Sequence, residues 1–129
     1  MKKIIKAQNL TKVYGEDKTS VTALNNVNLD FYENKFTAIM GQSGSGKSTL
    51  LHCLAGLDKV TSGSIFVKDI DLGDLNDKEL TKIRRDSFGF VFQAFNLIPT
   101  LTAEENITLP SSIAGKKPDE EWINKIVNA

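Results

Sequence analysis

Residues 41–48 read Gly-Gln-Ser-Gly-Ser-Gly-Lys-Ser, which matches the pattern G-x-x-x-x-G-K-S at every fixed position. The run before it, Phe36 to Met40, is short and almost wholly apolar, as is typical of a strand buried on both faces of a parallel sheet. An amphipathic helix is expected to follow the glycines, from Lys47 to Ala55. A glycine-rich turn between a buried strand and a helix predicts a phosphate-binding loop.

The residue types in this loop have a physical explanation. Consecutive backbone N–H groups can surround an anionic triphosphate where glycine permits the required backbone angles. The helix that follows directs its free N–H groups and positive dipole end at the phosphates. Lys47 adds a full charge that can reach the β- and γ-phosphates, and the Ser48 hydroxyl is placed to bind Mg²⁺. The expected ligand is ATP or GTP with Mg²⁺. The predicted binding residues in this segment are Gly41, Gln42, Ser43, Gly44, Ser45, Gly46, Lys47, Ser48 and Thr49.

Two other interpretations of the glycines are weaker. A dinucleotide-binding turn needs a third glycine after Gly44 and Gly46, but Thr49 occupies that place, and such a turn has no use for Lys47. An ordinary glycine-rich turn does not explain why lysine and serine follow the last glycine, where the helix begins.

Composition limits the protein class. The chain has 129 residues, of which 40% are hydrophobic and 25% charged, with a formal net charge of zero. These values predict one small soluble domain and no general attraction to nucleic acid. No apolar run approaches the roughly 20 residues of a membrane span. The N-terminal apolar stretch is too short for a signal peptide, and the lone Cys53 cannot form an internal disulfide, so a cytoplasmic location is expected.

Strands are expected on both sides of the loop. In Val21 to Tyr32, apolar and polar residues alternate with a period of two, which indicates a half-buried strand. Phe88 to Phe92 is a second candidate for a fully buried strand. The remaining predicted strands are Lys3 to Val13 and Ser64 to Val67.

Helices are predicted from their start and stop signals. Two segments resemble capping boxes: Asn76 with Glu79, and Thr102 with Glu105. Pro110 is expected to stop the second of these helices. The helix after the phosphate loop has an apolar face of Leu50, Leu51 and Leu54, and Gly56 is expected to end it. A last helix is expected with Pro118 in its first turn and with Asp119, Glu120 and Glu121 at its positive end. Its apolar stripe consists of Trp122, Ile123, Ile126 and Val127.

With these elements in place, the sequence resembles the ATP-binding subunit of ABC transporters over essentially its whole length. Leu10 to Gly15 is similar to the opening strand of that family, and the resemblance implies that Tyr14 stacks on adenine. Phe88 to Gln93 resembles the entry to the Q-loop, which implies that Gln93 contacts Mg²⁺ and the attacking water. Considered without the resemblance, Tyr14 is interpreted as an ordinary tyrosine at a strand end and Gln93 as a loop amide with local hydrogen bonds.

Two further segments are similar to one branch of the family. Gly56-Leu57-Asp58 and the run from Gln93 to Thr102 resemble the subunits that serve lipoprotein release, macrolide export and antimicrobial-peptide resistance. The sequence has no Leu-Ser-Gly-Gly-Gln motif and no run of four apolar residues followed by Asp-Glu. The resemblance therefore implies the N-terminal half of such a domain, ending within its helical subdomain.

The expected fold is α/β: part of a P-loop NTPase core of the ABC type, with an antiparallel β-subdomain and the start of a helical subdomain. The expected boundaries are 1–35 for the β-subdomain, 36–93 for the P-loop core and 94–129 for the Q-loop and the helical start.

The resemblance implies an ATP hydrolase in which Lys47 and Gln93 act in catalysis and Ser48 and Gln93 bind Mg²⁺. It would power export or extraction of a substrate at the membrane, with a transmembrane permease and a second ATP-binding subunit as partners and no nucleic acid. It would lie in the cytoplasm, on the inner face of the plasma membrane. Two alternatives remain open at this point: a nucleotide-binding fragment without catalytic activity, and a P-loop kinase. The transported substrate and the permease do not follow from the sequence.

Overall fold

The structure is a computed structural model that describes all residues, Met1–Ala129. It divides into two units, Met1–Thr81 and Lys82–Ala129. The strands are β1 (Lys3–Tyr14), β2 (Val21–Tyr32), β3 (Ser62–Val67) and β4 (Ile70–Asp71), and the helices are α1 (Lys47–Leu54), α2 (Asp77–Ser87), α3 (Ala103–Ile113) and α4 (Glu120–Val127). Short 3-10 turns span Asp17–Thr19 and Leu72–Asp74.

One antiparallel sheet organises the first unit, with strand order β2-β1-β3-β4. β1 lies inside this sheet: Tyr14 is opposite Val21 of β2, and Lys6 is opposite Phe66 of β3. The predictions for β1, β2 and β3 are confirmed, with β1 and β3 slightly longer than expected. The sheet and the phosphate loop both lie within Met1–Thr81 and therefore belong to the same unit.

The core of the first unit lies where α1 contacts the sheet through β2. Leu50, Cys53 and Leu54 are buried, at the i, i+3 and i+4 spacing of one helical face. The prediction that Leu51 shares this face is wrong: it lies beside the stripe and is 52% exposed. Cys53 is fully buried, and this burial raises the pKa of its thiol. The buried apolar residues are Ala7, Leu10, Leu24, Leu50, Cys53, Leu54, Ala55, Ile65, Val67, Leu72 and Leu80.

Helix α1 ends as predicted at Gly56, whose φ is +67°. The N–H of Gly56 donates to the carbonyl of Cys53, and the N–H of Leu57 donates to that of His52. This pair of bonds is the Schellman arrangement, which satisfies the last carbonyls of a helix and favours glycine at the left-handed position.

Two predicted buried strands are not formed. Phe36 is 96% exposed, Met40 is 89% exposed, and Val91 is fully exposed. A parallel strand requires neighbours that hydrogen-bond to both its edges, and no strand of the chain pairs with 36–40 or 88–92. The apolar composition of both segments predicted burial, but none of the strands β1 to β4 pairs with either segment.

The segment 88–92 nonetheless has the side-chain alternation of an extended chain. The rings of Phe88 and Phe90 are stacked with centroids 6.2 Å apart, and those of Phe90 and Phe92 are 5.4 Å apart. Three aromatic rings therefore cover one side of this segment.

Both predicted capping boxes are confirmed. At α2, the N–H of Glu79 donates to Oδ1 of Asn76, and the N–H of Asn76 donates to Oε2 of Glu79, each at 2.9 Å. At α3, Thr102 and Glu105 make the same reciprocal pair at 3.2 and 2.9 Å. Each box satisfies two N–H groups that a helix start leaves without partners.

The two proline predictions are wrong in position. Pro110 lies inside α3, which continues to Ile113. A proline inside a helix removes its own N–H and crowds the carbonyl four residues earlier, but the residues after it still form a helical turn: the N–H of Ala114 donates to the carbonyl of Pro110 at 3.1 Å. Pro118 precedes the cap of α4 instead of lying in its first turn. The cap is Asp119, whose carboxylate accepts from the N–H of Trp122 at 2.9 Å. None of the helices is long and apolar enough to cross a membrane.

Candidate nucleotide-binding site

The glycine-rich loop connects the extended segment after β2 to the first residue of α1. Within it, the N–H of Ser45 donates to the carbonyl of Gln42 at 3.2 Å, and the Ser45 hydroxyl donates to the same carbonyl at 2.6 Å. These bonds close a tight turn. Residues 41–45 are exposed, so their backbone is accessible to a ligand.

The glycines of the loop meet different requirements. Gly44 and Gly46 have φ of +79° and +91°, in the left-handed region that favours glycine. A Cβ at Gly46 would lie 2.4 Å from the carbonyl oxygen of Ala23 in β2, so the loop approaches the sheet as closely as the backbone permits. A Cβ at Gly44 would meet nothing within 4 Å and would project into the open side of the loop. The loop therefore leaves room for a bulky anion.

The N-terminus of α1 is free to bind such an anion. Its cap residue is Gly46, and no side chain caps the helix. The first N–H groups of a helix have no partner within it, so those of Lys47, Ser48 and Thr49 are available to a ligand. Unpaired N–H groups and the positive end of the helix dipole are what a phosphate group requires. These residues fit the phosphates of a nucleotide.

The Lys47 side chain brings its charge to the same place. Its Nζ donates to the carbonyls of Gly41 and Gln42 at 2.7 and 2.6 Å and lies 3.2 Å from the Ser45 hydroxyl. The ammonium group is thus held over the loop that precedes α1 by main-chain oxygens of that loop.

The predicted Mg²⁺ ligands are placed as follows. Ser48 lies in the first turn of α1 with its side chain exposed. Gln93 belongs to the second unit, where it is exposed in the loop after α2. The chain has no group of three or more His, Cys, Asp or Glu side chains that could hold a metal. Mg²⁺ commonly uses one or two protein oxygens and completes its shell with phosphates and water, so a serine hydroxyl beside a phosphate loop fits it.

Tyr14, the predicted base-stacking residue, lies at the end of β1 and is 42% exposed. Its hydroxyl donates to Oδ2 of Asp58 at 2.6 Å. The other oxygen of Asp58 accepts from Nζ of Lys12 at 2.9 Å, and the same Nζ donates to the carbonyl of Lys59 at 2.6 Å. Nζ of Lys12 also lies 4.8 Å from the centroid of the Tyr14 ring.

These contacts shift the pKa values of all three groups. The hydrogen bonds from Tyr14 and then Lys12 lower the pKa of the Asp58 carboxyl. The hydrogen bond to Asp58 raises the pKa of the Tyr14 phenol, while the neighbouring Thr49 side chain acts in the opposite direction. The hydrogen bond to Asp58 also raises the pKa of Lys12. The cluster is therefore most favourable with Lys12 and Tyr14 protonated and Asp58 ionised.

Sequence reasoning did not identify Lys12 or Asp58 as part of the site. Asp58 lies 46 residues from Lys12 and 44 from Tyr14 along the chain, so no local pattern connects them. The only available signal was the spacing of Lys12 and Tyr14, since residues two apart on a strand share a face.

Residues 24–129 of the chain match the family model described as ABC transporter. An uncharacterized ABC transporter ATP-binding protein of Methanocaldococcus jannaschii, MJ0796, is 55% identical over 107 residues, which are 83% of this chain and 46% of that protein. The macrolide export ATP-binding/permease protein MacB of Marinobacter nauticus is 43% identical over 117 residues, 91% of this chain and 18% of that protein.

Solved structures give the same result. A dimeric post-hydrolysis state of the ATP-binding cassette MJ0796, bound to ADP and Pi, aligns with a TM-score of 0.82 and 51% identity over 91% of this chain and 51% of that one. A second dimeric MJ0796 structure aligns with a TM-score of 0.83. The expected fold class, a partial P-loop core of the ABC type with an antiparallel β-subdomain, is confirmed. The chain spans about half the length of MJ0796.

Proposed function

Because the chain belongs to the ABC transporter ATP-binding family, we propose that its loop at residues 41–49 binds MgATP. We further propose that the chain is part of an ATP-hydrolysing subunit that powers export or extraction of a substrate at the membrane. The observation that carries this proposal is the N-terminus of α1, which has no side-chain cap and follows a loop over which the ammonium group of Lys47 is held.

The chemical roles follow from the positions of the groups. The N–H groups at the start of α1 and the charge of Lys47 stabilise the negative charge on the β- and γ-phosphates. Ser48 would hold Mg²⁺ through its hydroxyl, and bound Mg²⁺ supplies further neutralisation of the phosphate oxygens. Gln93 is proposed to contact Mg²⁺ and orient the attacking water, and Tyr14 to stack on the adenine.

The proposed partners are a transmembrane permease and a second ATP-binding subunit. MacB is named as an ATP-binding/permease protein, and the MJ0796 cassette was solved as a dimer. A partner-facing segment is proposed at residues 95–101, where Phe95 is 92% exposed and Leu97 is 66% exposed. Exposed apolar groups in a loop mark contact sites. The proposed location is the cytoplasmic face of the membrane, reached through the permease.

We propose that the chain belongs to the branch of the family that serves macrolide export, lipoprotein release or antimicrobial-peptide resistance, and that its substrate is of one of these classes. The 43% identity to MacB supports this choice.

A calorimetric titration tests the nucleotide site. The 129-residue chain is titrated with ATP, GTP, tripolyphosphate and adenosine, each with and without Mg²⁺. We expect saturable binding of ATP and of tripolyphosphate, tighter binding of ATP, and no detectable binding of adenosine, because the phosphates supply most of the interaction. Equal affinity for adenosine and ATP would contradict a phosphate-binding role for residues 41–49.

A further inference from the structure

We infer that Asp58 and Lys12 are positioning residues for the nucleotide base, because they hold the Tyr14 ring in one orientation beside the phosphate-loop helix. The inference rests on the proposed function, in which Tyr14 stacks on adenine. It adds two residues that contact neither the base nor the phosphates in that proposal.

The backbone alone does not fix the Tyr14 ring. Tyr14 is the last residue of β1, and Gly15 after it has a left-handed φ of +79°. A tyrosine at a strand end can sample several staggered side-chain conformations, since two torsions define the direction of its ring. An ordered stacking surface at this point therefore requires contacts from elsewhere in the fold.

Asp58 supplies that contact through both of its carboxylate oxygens. Oδ2 accepts from the Tyr14 hydroxyl at 2.6 Å, and Oδ1 accepts from Nζ of Lys12 at 2.9 Å. Lys12 is itself held by the carbonyl of Lys59, and its side chain is only 13% exposed. The carboxylate that orients the phenol is thus fixed on its other side by a largely buried cation.

Lys12 also determines which face of the ring a base can use. Lys12 and Tyr14 are two residues apart on β1 and lie on the same face of the sheet. The Lys12 ammonium is 4.8 Å from the ring centroid, within the range of a cation–π contact. One face of the ring is therefore taken by the ammonium, and an incoming base must stack on the opposite face.

The position of Asp58 connects the base site to the phosphate site. Asp58 follows the Schellman turn that ends α1, and the first residue of α1 is Lys47 of the phosphate loop. The hydrogen bond from Tyr14 to Asp58 thus attaches the end of β1 to the turn that follows this helix. Loss of this bond should affect recognition of the base and leave the phosphate contacts intact.

The test compares ATP with tripolyphosphate, both with Mg²⁺, by calorimetry on the 129-residue chain. The variants are Asp58→Ala, Asp58→Asn, Tyr14→Phe and the double variant Tyr14→Phe/Asp58→Ala. The matched control is Asp30→Ala, which removes another lysine–aspartate pair of the same sheet, Lys3 with Asp30 at 2.7 Å. Tyr14→Ala reports on stacking itself.

We expect Asp58→Ala and Tyr14→Phe each to weaken ATP about fivefold, the effect of one lost hydrogen bond, with no change for tripolyphosphate. The double variant should lose no more than either single variant, because both remove the same bond. Asp58→Asn, which keeps an acceptor for the phenol, should recover part of the affinity. Asp30→Ala should bind both ligands as the parent chain does.

Three results would overturn the inference. Additive losses in the double variant would show that Asp58 does not act through Tyr14. Equal losses for ATP and tripolyphosphate in both Asp58 variants would indicate general structural damage. Unchanged ATP affinity in Asp58→Ala, together with a selective ATP loss in Tyr14→Ala, would overturn the positioning role while leaving the proposed function standing. If the parent chain binds neither ligand, the proposed function itself is wrong.

Discussion

The ammonium nitrogen of Lys47 lies 2.7 Å from the main-chain carbonyl of Gly41, so the side chain bends back over the loop that precedes it. A second carbonyl, that of Gln42, accepts from the same nitrogen at 2.6 Å. A phosphate that binds Lys47 must compete with these two carbonyls for the three N–H donors of the ammonium group. A charged phosphate oxygen forms a stronger bond than a neutral carbonyl, so the exchange favours the ligand.

Replacement of Lys47 by alanine tests this relationship. Lys47→Ala should weaken ATP and tripolyphosphate alike by about 10- to 100-fold, since charge-assisted hydrogen bonds to the phosphates are lost. The control is Lys35→Ala, which removes an exposed lysine from the turn between β2 and the phosphate loop. Calorimetric titration of both variants provides the measurement, and equal affinities for the two would rule out a phosphate contact at Lys47.

Gly46 should tolerate no side chain. Gly46→Ala places a methyl group 2.4 Å from the Ala23 carbonyl at a φ of +91°, so the loop must move away from β2. We expect roughly 1–3 kcal/mol of destabilisation from the strained backbone, together with weaker ATP binding. Thermal unfolding and ATP titration measure the two effects. Gly89→Ala is the control, because its added Cβ meets nothing within 4 Å and its φ is not in the left-handed region; similar behaviour of both variants would contradict the close approach.

Tyr14 should matter only for ligands that carry a base. Tyr14→Ala removes the ring and should weaken ATP by roughly 1–3 kcal/mol, the range found for stacked bases in single-strand binding proteins. Tripolyphosphate should bind as before. If competition titrations show that both ligands lose affinity equally, Tyr14 does not stack on the base.

The cluster of Asp58, Lys12 and Tyr14 should give a pH dependence to stability. The lowered pKa of Asp58 means that its contribution is present above the ordinary value of 3.8 and is lost as the pH falls through the lower folded-state pKa. The raised pKa of Tyr14 means that its contribution is present below 10.0 and is lost as the pH rises through the folded-state pKa. The raised pKa of Lys12 likewise means that its contribution is present below 10.5 and is lost as the pH rises through its folded-state pKa.

Thermal unfolding of the parent chain and Asp58→Asn from about pH 3 to pH 10 measures this effect. The difference between their midpoints should be full from about pH 5 upwards and should narrow as the pH falls below 3.8 towards the folded-state pKa of Asp58. No loss is expected up to pH 10, because the pKa values of Tyr14 and Lys12 are raised above 10.0 and 10.5. The effect should be small because the three groups are partly exposed. A difference that stays constant over the whole range would show that the charge of Asp58 is not involved.

A cysteine crosslink tests the proposed partner-facing segment. Cys53 is buried, with a raised pKa, so it gives little background reaction. Thr100→Cys introduces an exposed thiol, whereas the nearby Asn96 has a left-handed φ of +50° and is a poorer position. In native membranes we expect a thiol-reactive crosslinker to join position 100 to a multi-spanning membrane protein, identified by mass spectrometry. Lys18→Cys in the first unit should give no such product, and the same product from both positions would contradict a specific contact.

The features that the sequence predicted correctly are those encoded by neighbouring residues. The alternation in β2 and the reciprocal bonds of Asn76 with Glu79 depend on residues a few positions apart. Phe36 to Met40 was predicted wrongly because an apolar run reports a preference for burial, whereas a strand also needs a hydrogen-bonding partner. The contact of Asp58 with Tyr14 spans 44 residues and depends on how α1 packs against the sheet, which no local pattern contains.

The inner position of β1 has a consequence for synthesis on the ribosome. β2 is complete at Tyr32, but β3, which pairs with the other edge of β1, ends at Val67, roughly 35 residues later. At about 5–20 residues per second, that edge stays unpaired for about 2–7 s. An unpaired edge can recruit a strand from another nascent chain, and charged side chains oppose this. The lysines of β1 at positions 3, 6 and 12 should therefore protect the emerging hairpin until β3 has left the ribosome.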